Sequence, residues 1–441
     1  MATRTINPTI IFAEMNNQYT HTVLATLALL VAGLMASAQS LSLEDCRKMA
    51  LAQNRKLQAA RLEVEAAQSL KQSVNANAYP SVDGSVLGLY LGEPLGGAMD
   101  GLIPEYTANG SVSVTQPIYA GRKIKNGRRA AAKGVELSEA QQAAATADVL
   151  FEVERSYWQV VQAAEKIVLA HRFSAMLQVL HHDLKNSYDA GLIYKNDLLR
   201  VEVSLNEAEL NSVRAQDAQV LAKLRLAQII GSADSVYFTL TDTTFAALPD
   251  PIAAMTNVEN RPEIRMLQRA LEIETIQGDI LRGDRRPTLG VSASGVAAVG
   301  PNVNISNGDD FMTTYYGVAS ISFPIYDWGR KSNKVKEHTL RVSAQKQRLE
   351  ETKELVSLEI QSAYLQWTQA ARKLQTSALS VQQAEENLRL ANDRFEAGTI
   401  TGKDVQEAVL IWEQARNSMV DAHVEWKIHA AAYKKATGAL E

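Results

Sequence analysis

The chain has 441 residues, a formal net charge of −4 and 46% apolar residues. That length suits roughly two or three ordinary domains or one elongated object, and the mild acidity argues against nucleic acid, which favours a concentrated basic surface. A single cysteine, Cys46, excludes an internal disulfide framework and reads as a small buried apolar residue, so packing and assembly must supply the stability.

In chain order, residues 23–35 form an unbroken small and apolar run that ends on Ala36-Ser37-Ala38, an Ala-x-Ala cleavage pattern. Residues 1–38 are therefore expected to be a signal peptide cut before Gln39, with Met15 as an alternative start and Arg4 as the basic residue of its first region. No cysteine follows the cut directly, so no lipoprotein anchor is expected. Beyond it no apolar run reaches the roughly 18 residues that a spanning helix needs. An exported chain that is either soluble or a β-barrel remains.

Residues 121–188 contain no proline, and apolar positions recur there in steps of three and four: Leu150, Val153, Tyr157, Val160, Ala164, Ile167. A helix of this extent would be roughly 100 Å long at 1.5 Å per residue. The second half repeats the pattern through Trp367, Ala370, Leu374, Ser377, Val381, Ala384, Leu388, Ala391 and Phe395, and its return runs Val405, Ala408, Trp412, Ala415, Met419, Ala422, Trp426, His429, Tyr433. Sustained heptad spacing predicts coiled-coil packing, with one long antiparallel helical hairpin per half.

Between the helices of each half lie two segments of period two, at about residues 81–91 and 109–118 and again at about 288–298 and 313–325. Alternation over about 9 to 11 residues suits a tilted transmembrane strand. Pro80 and Pro287 stand where helix becomes strand, Pro117 and Pro324 where strand becomes helix, and Gly121 and Gly329 give the backbone freedom for the turn that follows. These positions repeat: Pro117-Ile118-Tyr119 returns as Pro324-Ile325-Tyr326, 207 residues later, and the same shift carries Pro80 onto Pro287, Gly191 onto Gly398 and Asp197 onto Asp404. The expected division is a first repeat over 39–231, a linker over 232–260, a second repeat over 261–438 and a tail over 439–441. Four strands cannot close a barrel, and an open edge in lipid leaves backbone groups unsatisfied, so at least two copies are required.

The export signal, the duplicated helix-strand-strand-helix halves, the two Pro-Ile-Tyr motifs followed by Gly-Arg-Lys, and the tips Tyr188-x-x-Gly191 to Asp197 and Phe395-x-x-Gly398 to Asp404 together resemble the TolC-like outer-membrane efflux proteins over about residues 43–438. The resemblance implies a mainly α fold with a membrane β-barrel, four strands per protomer, in a homotrimeric α-barrel/β-barrel tunnel set in outer-membrane lipid and crossing the periplasm. It further implies a non-enzymatic duct for small molecules or secreted substrates, closed at the helical tips and opened by a periplasmic adaptor and an inner-membrane pump of RND or ABC type. The rival reading is a periplasmic adaptor, which also carries a coiled-coil hairpin.

The tip residues have a complete local explanation: Gly191 and Gly398 can end a helix, and Asp197 and Asp404 can cap the next one, with Glu407 completing a capping box at the second tip. A trimer would also gather Asp404 and Glu407 into an acidic entrance. Where the family's closing lock uses a Tyr and an Arg, this chain carries Phe395 and Ile400, so apolar packing is expected instead. His181 and His182 diverge by about 100° on a helix and cannot share a metal. No catalytic, phosphate-binding or dinucleotide motif occurs, so neither cofactor nor metal is expected.

Overall fold

The computed structural model describes residues 39–92, 105–232, 238–241, 258–304 and 306–440. The expected signal peptide, the Gly96-Gly97 stretch between the first two expected strands, and most of the linker lie outside these residues. The described residues fall into two compact units, one within Met1–Asn54, Leu150–Pro251 and Trp367–Ala431, the other within Arg55–Val149, Ile252–Gln366 and Ala432–Glu441.

The elements are β1 (Gln39–Leu41), α1 (Leu43–Gln53), α2 (Arg55–Ala76), β2 (Ser81–Tyr90), β3 (Tyr106–Ala120), α3 (Lys123–Asp189), α4 (Lys195–Ile230), β4 (Phe238–Leu240), α5 (Pro262–Gly283), β5 (Thr288–Val299), β6 (Phe311–Ser322), α6 (Arg330–Glu396) and α7 (Gly402–Ala436). Helices α3 and α6 each run for 67 residues. Helices this long survive because one stripe is buried along them: Trp367, Ala370, Leu374, Val381, Ala384, Leu388 and Ala391 of α6 are all buried, as are Val405, Ala408, Trp412 and Trp426 of α7. Large and small residues alternate along these stripes, which lets facing side chains interdigitate.

In the first unit α1 starts with a capping box, the Ser42 hydroxyl accepting from the Asp45 N–H at 3.1 Å while the Asp45 carboxylate accepts from the Ser42 N–H at 3.1 Å. Strand β1 pairs in parallel with β4, so part of the expected linker is a strand. Phe238 buries its ring there. In the same unit Asn54 donates from its amide to the Ile229 carbonyl at 2.8 Å, satisfying the end of α4. In the second unit Arg261 donates to the Ala436 carbonyl at 3.0 Å and does the same for α7. Each pair is 175 residues apart, and the 207-residue shift converts one into the other. Different side chains thus perform the same cap in both repeats.

The second unit contains an antiparallel sheet in the order β2-β3-β5-β6. The two hairpins keep one register: Ser81 pairs with Thr115 and Thr288 with Ser322, both members shifted by 207. Between the repeats β3 pairs with β5, Ser113 facing Ser294 and Ala120 facing Thr288.

Candidate functional site

The first tip is the turn from α3 to α4. Gly191 has φ 75°, its N–H donates to the Tyr188 carbonyl at 2.8 Å, and the Leu192 N–H donates to Ser187 at 2.9 Å. The second tip repeats this geometry, with Gly398 at φ 69°, Gly398 N–H to Phe395 at 2.9 Å and Thr399 N–H to Arg394 at 2.9 Å. Both are Schellman turns, which need a left-handed residue that glycine adopts without steric cost.

The caps differ from the sequence expectation. Tyr194 holds the N-cap position of α4 with no side-chain cap, and Asp197 sits half-buried in the first turn, its N–H donating to the Tyr194 carbonyl at 3.1 Å. At α7 the cap is Thr401, and Asp404 is the third helical residue: its carboxylate accepts from the Thr401 N–H at 2.8 Å and from the Thr401 hydroxyl at 2.7 Å. Asp404 therefore plays the reach-back part that had been expected of Glu407, three residues too late. The Thr401-x-x-Asp404 spacing was the readable signal. The two bonds from Thr401 hold the Asp404 carboxyl below its ordinary pKa. Glu407 lies exposed one turn on.

Both tips share one apolar cluster, in which Leu184 and Leu198 from the first hairpin lie with Val405 and Trp412 from the second. Ile193, Phe395 and Ile400 pack against it. Phe395 and Ile400 thus pack on their own protomer's cluster, where a Tyr and an Arg would instead offer polar groups. Gly402 lies against the Leu184 side chain with no room for a Cβ. Tyr188, by contrast, is 37% exposed, and Leu192 and Tyr194 are 77% and 82% exposed. His181 and His182 diverge, His181 meeting Glu202 at 3.3 Å and His182 meeting Asn186 at 3.2 Å.

The sheet has two chemically distinct faces. Register places Val82, Val86, Val112, Val114, Leu289, Val291 and Ile321 on one face, and Ser85, Ser111, Ser113, Ser292, Ser294, Ser320 and Ser322 on the other, where Leu87, Leu89, Val296 and Val318 also lie. Ser85 and Ser111 hydrogen-bond through their hydroxyls at 2.8 Å. Asp83 is on the hydroxyl face and is the only charged residue within the four paired strands, a position that the alternation alone does not mark. One apolar and one hydroxylated face is the arrangement of a strand set between lipid and a watery lumen.

The junctions behave unequally. Pro80 and Pro287 directly precede β2 and β5 as expected. Pro117 does not end its strand: β3 continues to Ala120 because the ladder skips Ile118 between Pro117 and Tyr119, a bulge that absorbs the missing N–H. Pro324 does lie beyond its strand, and so does Phe323, although the alternation extends the strand to residue 325. The ladder partner beyond Thr288 would be Pro287, which cannot donate. Gly121, at φ 62°, lies against the Gly283 carbonyl, where no Cβ fits; Gly329 has φ 79°.

Long paired helices and a two-faced sheet whose edge strands have no partner among the described residues are the features of an outer-membrane channel. The fold matches the Campylobacter jejuni CmeC outer membrane channel with a TM-score of 0.78 at 18% identity, covering 90% of this chain and 86% of that one. It also matches the open state of the Neisseria gonorrhoeae MtrE outer membrane channel with a TM-score of 0.75 at 19% identity, covering 90% and 89%. In sequence the chain is 24% identical over 358 residues to Protein CyaE of Bordetella pertussis, covering 77% of this chain and 73% of that protein. Residues 46–232 and 256–439 match the outer membrane efflux protein family, and the chain belongs to it. It is an outer-membrane efflux channel extending into the periplasm, of a family of transport channels rather than enzymes. The periplasmic-adaptor alternative is not favoured.

Proposed function

We propose that three copies of this chain close their sheets into one barrel in outer-membrane lipid, and that the duct catalyses no reaction. The tips around Gly191 and Gly398 dock a periplasmic adaptor serving an inner-membrane pump of RND or ABC type, and the cargo is small molecules or secreted substrates. The two-faced, open-edged sheet carries this reading: backbone groups at its edges cost several kcal/mol each in lipid unless another strand satisfies them. Exposed Leu192 and Tyr194 on rigid turns favour the tips as the adaptor surface.

Asp404 and Glu407, gathered three-fold, form the acidic entrance that draws cations in. Such a ring acts over about one Debye length, roughly 8 to 10 Å in ordinary salt. Asp404→Asn with Glu407→Gln keeps the hydrogen-bonding shape and removes the charge. In planar-bilayer recordings the wild type should show discrete conducting steps with cation preference, and the double variant should conduct without that preference. Absence of conducting steps from correctly folded wild type contradicts the channel; unchanged preference in the variant contradicts the entrance ring.

A further inference from the structure

Resting on the trimeric reading above, we propose a specific register for the ladder that closes the barrel: β6 of one copy pairs antiparallel with β2 of the next, with Ile321 opposite Val86, Ser320 opposite Leu87 and Ala319 opposite Gly88. The chain already contains the template. Strands β3 and β5 join the two repeats, Ser113 facing Ser294 and Val114 facing Ala293. A shift of 207 residues carries β3 onto β6 and, in reverse, β5 onto β2. That this shift preserves backbone pairing, and not merely sequence likeness, follows from the two hairpins, whose registers it superimposes residue for residue.

Two further observations agree. The derived register sets apolar Ile321 beside apolar Val86 and Ser322 beside Ser85, although face alternation took no part in deriving it. A one-residue slip would turn one face of the neighbouring sheet inside out. The strand ends also fit. Strand β3 runs past Thr115, where its hairpin partner begins, because β5 supports it from the other side as far as Ala120. Strand β6 stops at Ser322, opposite Thr288, and among the described residues nothing pairs with its outer edge. Phe323, Ile325 and Tyr326, the counterparts of Gln116, Ile118 and Tyr119, are 60%, 88% and 72% exposed. On assembly β6 lengthens to Tyr326 with a bulge at Ile325, the counterpart of Ile118, and Tyr326 comes opposite Val82 of the next copy.

Disulfide trapping in outer membranes tests this register in a Cys46→Ala background. The pairs Ser320→Cys with Leu87→Cys and Ser322→Cys with Ser85→Cys should give covalent dimers and trimers on non-reducing gels. The slipped pairs Ser320→Cys with Ser85→Cys and Ser322→Cys with Leu87→Cys should give about tenfold less, because diagonal Cβ atoms lie roughly 7 to 8 Å apart against the roughly 4 Å a disulfide needs. Ser113→Cys with Ser294→Cys, the same pair inside one chain, reports that the sheet has folded. Stronger linking at the slipped pairs, or none at any intersubunit pair in an assembly that still sediments as a trimer, overturns the register and leaves the trimer standing. Folded protein that sediments as a monomer overturns the trimer itself.

Discussion

Thr401 shows how much one residue decides at the tip. Its N–H and hydroxyl both reach Asp404, so Thr401→Ala should speed amide exchange in the first turn of α7 while leaving the first turn of α4 unchanged. Equal acceleration at both would mean that the cap does not act locally. Because the Asp404 pKa is lowered when folded, its stabilisation is present above the unfolded value of 3.8 and is lost as pH falls through the lower folded value. The opposite end of acid sensitivity belongs to His423, where burial, followed by the charge of Lys427, lowers the pKa from 6.5 to about 4. Unfolding lets His423 take up a proton that the folded protein refuses, so stability should fall as pH drops from 6.5 towards about 4. His423→Gln should flatten that part of a melting-temperature profile; an unchanged slope would place the acid sensitivity elsewhere.

At the scale of elements, the contact between Gly121 and Gly283 fixes how β3 turns into α3 against the end of α5. A Cβ at residue 283 would stand 2.7 Å from the Gly121 carbonyl oxygen and 2.9 Å from the Lys123 side chain. Gly283→Ala should therefore lower the yield of assembled protein, whereas Gly295→Ala, with open space around it, should not. Strand β6 can be tested by its faces: in membranes, cysteine at Ile321 should resist a water-soluble thiol reagent and cysteine at Ser320 should react. Equal reactivity would contradict the two-faced sheet. Most of this architecture was legible in the sequence, because prolines punctuate the strands and heptads run unbroken through residues such as Trp367 and Trp412. The extent of β3 was not, since Pro117 suggests an ending and only the bulge at Ile118 lets the strand continue. The cap at α7 was misread for a related reason: Asp404 is a good capping residue, and nothing in its identity shows that Thr401 had already taken the position.

For the whole molecule, one chain is an incomplete object. Its sheet has a lipid-compatible face and a face rich in hydroxyls, and among the described residues its outer edges, β2 and β6, have no partner strand. Barrels of this kind start at about eight strands, so two copies are the physical minimum, and the proposed assembly has three. The most direct measurement is the mass of the assembly released intact from outer membranes in detergent and weighed in the gas phase after the micelle is stripped. A barrel closed by three copies should give three times the mass of the mature chain as the dominant species. A dominant monomer, dimer or tetramer would contradict it.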